Sequence, residues 1–109
     1  MDTIAGLSEE ISRHMTLDEF LQIHQRLAEL RAEEEAKLKA LADLQKMYLA
    51  ANSDAQRDAV KETVGKIREL SRQHRQEIRL LNDRIQQKMP FTLAADLYSR
   101  WLKATGTGE

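Results

Sequence analysis

The chain has 109 residues, which suits one domain with a modest core. Charged residues make up 32% and aromatics 5%, and Ala, Leu, Glu, Lys, Arg and Gln dominate, the composition of long helices and coiled coils. A net charge of −1 excludes a polycation, and the lack of any cysteine excludes disulfides and thiolate chemistry, in keeping with a reducing compartment.

The pattern opens with a short amphipathic helix over 3–14, where Ile4, Leu7, Ile11 and Met15 share one face. The N-terminus has no basic stretch followed by an apolar run, so no secretory signal is expected. Thr16 with Glu19 reads as a capping box, and Met15 with Phe20 as a hydrophobic staple, so a second helix is expected over 16–51. Asn52-Ser53-Asp54 breaks it. Ser53 with Gln56 is a second capping box and opens a third helix over 53–89. Pro90, the only proline, ends that helix, because its ring disfavours helical geometry at the preceding residue. Thr92 is the expected N-cap of a fourth helix over 92–104, followed by a frayed tail over 105–109.

Between the first box and Pro90, helix breakers are almost absent. The two long elements therefore read as an antiparallel hairpin, and the fold class as all-α, coiled-coil-like, with the short N- and C-terminal helices packed at the open end. Folding about Asn52-Ser53 pairs Phe20 with Ile85, His24 with Leu81, Leu27 with Ile78, Leu38 with Ile67 and Leu41 with Val64. Apolar residues meet in most layers, which a wrong register would not give. Ala40 falls beside Gly65, which would give that glycine a packing role despite its cost of about 1 kcal/mol in a helix. The same register sets Glu33 beside Arg72, Glu34 beside Ser71 and Arg31 beside His74. Arg31, Glu34, Ser71 and His74 thus form a polar layer, read either as a solvated stretch or as a pin that fixes register at some cost in stability.

Sequence signatures of catalysis are missing. No Glu-x-x-His occurs for a di-iron bundle, no G-x-S-x-G elbow and no glycine-rich phosphate loop. No catalytic, cofactor or metal residue is expected, and no enzyme. No stretch approaches the roughly 20 apolar residues that span a bilayer, so a cytoplasmic setting without membrane contact is expected.

Two features could carry function. The fourth helix sets Leu97, Tyr98, Trp101 and Leu102 on one apolar face, with Phe91 just before it, and holds three of the five aromatics. These residues could close a four-helix head over Leu17, Leu21, Leu81 and Ile85, or anchor a protein partner. The other feature is a basic row, Arg68, Arg72, Arg75 and Arg79, continued by Arg57 and Lys61. From Leu17 to Ala51 there are seven acids and five bases, and from Ser53 to Met89 six acids and nine bases. The row could pair with acids of the second helix, or track nucleic-acid phosphates. No aromatic lies among these arginines to stack a base, and no nucleic-acid-reading motif is present. The expected function is a non-catalytic protein-interaction module, an adaptor, assembly or regulatory factor. A homodimer is expected, because two helices cannot cover every side of Leu30, Leu38, Leu44, Ile67 and Leu70. A nucleic-acid-binding accessory protein is the alternative.

Overall fold

The structure, a computed structural model, describes residues 2–106. They form four helices and, among the described residues, no strand: α1 (Ile4–Ser12), α2 (Leu17–Ala50), α3 (Asp54–Gln86) and α4 (Phe91–Thr105). The fold is all-α: α2 and α3 pack as an antiparallel hairpin, with α1 and α4 at its open end.

The helix ends show where local chemistry wins. Thr3 caps α1, its Oγ1 accepting from the Gly6 N–H at 3.0 Å. Thr16 caps α2 in the same way through the Glu19 N–H at 3.2 Å. Only half of that capping box forms, because the Glu19 carboxylate accepts instead from Arg84 at 2.9 Å. At the hairpin turn the Ser53 hydroxyl accepts from the Gln56 N–H at 3.2 Å. Gln56 Oε1 reaches back to the Asn52 N–H at 2.7 Å, one residue short of the expected reciprocal bond.

The C-terminal boundaries differ from the sequence reading. α3 stops at Gln86 rather than at Met89, and the amides of Lys88 and Met89 both donate to the Ile85 carbonyl at 2.9 Å. Pro90 takes the N-cap position of α4 with no side-chain bond, so Thr92 lies inside the helix and does not cap it. A proline suits a helix start because its φ, here −59°, is set by the ring. Thr105 is helical, and Gly106 closes α4 in the left-handed conformation, φ 73°, which glycine adopts without strain. The rest of the expected tail, Thr107 to Glu109, lies outside the described residues.

The chain divides into two compact units. A four-helix unit comprises the residues up to Leu27 and those from Arg79 onward. Its centre is Leu7 and Ile11 of α1, Phe20 and Ile23 of α2, Ile85 of α3 and Leu97 of α4, each 2% exposed or less. Of the expected core only Ile85 is central, while Leu17, Leu21 and Leu81 are half-buried at its margin. Arg100 ties the unit's two short helices together. Its guanidinium donates to both Asp2 oxygens, at 3.0 and 2.9 Å, and to Asp96 at 3.1 Å, with Glu10 at 3.4 Å. These bonds hold the Asp2 carboxyl below its ordinary value and push the Arg100 guanidinium up.

The second unit, Ala28–Ile78, holds the hairpin turn and two helices alone. Two helices enclose a single seam. Leu30 and Val60 are buried in it, and Leu41, Leu44, Val64 and Ile67 are half-buried. Leu30, expected to need a second hairpin for cover, is fully enclosed within the chain. Leu38, Met47, Leu49 and Leu70 are left 65, 57, 77 and 47% exposed.

Candidate interaction surfaces

The apolar face of α4 is largely spent on its own fold. Leu97 is fully buried, and Tyr98 stacks on His24 with ring centroids 4.5 Å apart and planes 13° from parallel. Phe20 completes the cluster, 4.5 Å from His24 and edge-on to Tyr98 at 6.2 Å. Burial pushes the Tyr98 hydroxyl up from its ordinary value. Trp101 and Leu102 are half-buried, and of the expected partner-binding residues only Phe91 stands outward, 37% exposed. The aromatic pattern that marked α4 as a docking face is equally the pattern of a core-facing helix.

The polar layer exists with altered membership. Helical spacing carries the seam through Leu30, Glu34, Lys37 and Leu41 on α2, and through Ile67, Ser71 and His74 on α3. Two consecutive seam positions on each helix are therefore polar. Arg31 is exposed and is not among them. His74 is met instead by Lys37 at 2.7 Å on Nδ1 and by Glu33 at 3.2 Å on Nε2, with Glu34 at 3.8 Å. Glu34 also pairs with Lys37. Lys37 was legible at this position from the heptad count, one turn from Glu34, whereas the sequence register sets Glu33 beside Arg72.

The arginine row is exposed. Arg72 bonds Glu69 of its own helix at 2.7 Å and not Glu33, whose carboxylate is turned to His74. Among the described residues Arg68, Arg75 and Arg79 enter no ion pair. The expected pairing of this row with acids of α2 does not form. Arg57 is spent at the turn, on Asp54 and on the Ala51 carbonyl.

The sequence reading missed two open grooves flanking the seam near the turn. One, of about 510 Å³, has Leu41, Leu44, Tyr48, Val60, Val64 and Gly65 as its floor, and Gln45, Lys61 and Arg68 at its edges. The other, of about 450 Å³, shares Leu44 and Val60 with the first and so lies across the seam, with Met47, Ala59 and Thr63 on its walls. Gly65 has no internal packing role: a Cβ built on it would meet nothing within 4 Å. The space beside its Cα, where close packing against Ala40 was expected, is open.

Among the described residues no helix is long and apolar enough to cross a membrane, and no three His, Asp or Glu side chains converge as metal ligands would. Comparison with protein-family models, with curated proteins and with solved structures finds no match to this chain.

Proposed function

We propose that the protein is a non-catalytic interaction module that self-associates through its two-helix unit, in the manner of a small adaptor, assembly or regulatory factor. The carrying observation is the uncovered apolar surface there: Leu38, Met47, Leu49 and Leu70 all stand more than 45% exposed beside half-open apolar grooves. Met47 lines the smaller groove, and apolar surface that is both exposed and continuous marks an interaction site, whereas scattered apolar groups do not.

The test is sedimentation velocity on the wild type and on a variant carrying Met47→Glu and Leu70→Glu. Both side chains are solvent-exposed, so the variant keeps its helicity. The wild type is expected to sediment as an assembly and the variant as a monomer. Equal sedimentation of the two contradicts self-association through this surface.

A second reading is favoured by the arginine row. Arg68, Arg75 and Arg79 are exposed and unpaired with any acid of α2, as a row that tracks phosphates would be. Binding to random-sequence duplex DNA that falls steeply with salt, and is lost when Arg68, Arg72, Arg75 and Arg79 are changed to Glu, supports it. Binding that is absent or insensitive to salt removes it.

A further inference from the structure

We infer that the larger groove receives an amphipathic helix from another protein, one whose apolar stripe is flanked by acidic residues. This inference rests on the two-helix unit being an interaction surface and names a partner for one side of it.

Three observations define the occupant. The groove floor is apolar, and Leu38 and Leu49 extend it, since both lie on the Gln45 side of α2 by helical spacing. A row of leucines entering at every third or fourth residue would fill such a trough, as apolar helix faces do in other grooves.

The rim is basic. Lys61 and Arg68 line the groove, and Arg72 and Arg75 continue their row one and two turns on. Arg31 joins from α2 by the same spacing, and the acids brought to this side are Glu35, Asp54 and Asp58. Asp54 is bonded to Arg57 and Arg72 to Glu69, which leaves Arg68 and Arg75 free for a partner's carboxylates. The far side of the seam has the opposite balance, with Glu33, Asp43 and Glu77 against Lys66. Two copies of this chain facing each other through the larger groove would bring two net-basic rims together, which disfavours a second copy there.

Gly65 is the third observation. It sits in the floor, costs the helix about 1 kcal/mol relative to alanine, and nothing inside the chain requires it. A glycine in that place lets another backbone come close. The rim alone would also suit nucleic acid, but a phosphate backbone has no use for an apolar floor with a glycine in it.

The experiment uses the full chain and two synthetic helices, each with leucine at a and d over three heptads. One is flanked by glutamate and the other by lysine, and binding is read by fluorescence anisotropy. The wild type is expected to bind the acidic helix about tenfold more tightly than the basic one, about 1.4 kcal/mol. An Arg68→Glu, Arg75→Glu variant reverses that preference. Gly65→Leu fills the floor and abolishes binding of the acidic helix, while melting no lower than wild type because the site is open. Equal binding of the two helices, or undiminished binding by the Gly65→Leu variant, overturns the inference. So does competition by duplex DNA alone, which assigns the row to nucleic acid, or a loss of self-assembly on Gly65→Leu, which assigns the groove to a second copy. A chain that self-assembles yet ignores both helices defeats this inference and leaves the interaction reading intact. A monomer that ignores both defeats the two together.

Discussion

The Lys37 ammonium lies 2.7 Å from Nδ1 of His74, across the seam between α2 and α3. An ammonium can only donate, so Nδ1 accepts and the ring proton sits on Nε2, which is 3.2 Å from a Glu33 oxygen. His74 is thereby held from two sides by α2, with 18% of its side chain exposed. Such a layer is what a register pin requires, polar groups of both helices meeting one another across the seam. A slip of α3 by one heptad would set these groups against leucine and valine and leave them without partners.

A polar seam layer that fixes register does so at a cost in stability. Replacing Glu34, Lys37, Ser71 and His74 together with leucine is therefore expected to raise the melting temperature, by about 1–4 kcal/mol of stability. The same variant should populate additional masses in solution. His74→Ala alone should do the reverse and cost about 1–3 kcal/mol, because Lys37 and Glu33 lose a partner in a partly buried place. Thermal melts of the two variants decide it, and a fall in the quadruple variant contradicts the account.

The aromatic cluster makes α4 structural. Leu97→Ala should cost about 2–5 kcal/mol in urea unfolding, since the side chain is fully enclosed. Phe91→Ala, at a position 37% exposed, should cost well under half of that. Comparable costs at the two positions would mean that α4 is not docked as described.

Arg100 gives the four-helix unit an acid-sensitive tie. The hydrogen bonds from Arg100 lower the Asp2 carboxyl below its ordinary 3.8, so the folded state favours the carboxylate more than the unfolded chain does. The stabilisation is present above that ordinary value and is lost as pH falls through the lower, folded one. Asp2→Asn should therefore lower the melting temperature at neutral pH, and the gap to wild type should close in strong acid. A gap that is constant with pH would show that Asp2 is not held by charge.

Gly65→Ala should stabilise by up to about 1 kcal/mol, because the new methyl meets nothing and alanine is the better helix former. Denaturant melts of the dilute chain read this directly. A loss of stability would reveal a close neighbour at Gly65.

The hairpin itself was plain in the sequence, because two amphipathic runs, two N-caps and one proline agree on the same boundaries. The polar layer was legible in place and misread in membership. Arg31 is one position off the seam, a rotation of 100° that numerical pairing across a turn does not resolve but the heptad count does. Thr92 looked like a cap because threonine often is one, yet Pro90 starts the helix two residues earlier at no cost in hydrogen bonds. The Arg100 tie joins residues 98 apart in sequence, and no local pattern announces it. Gly65 was assigned to close packing between α2 and α3, and only the backbone positions reveal that the space beside it is open.

Self-association through the two-helix unit is tested most directly by the mass of the full chain in solution, measured by light scattering over a dilution series in high salt. High salt screens the arginine row and leaves apolar contacts in place. The account predicts a mass of at least twice 12.6 kDa that falls only on dilution. A monomer at every concentration would contradict it.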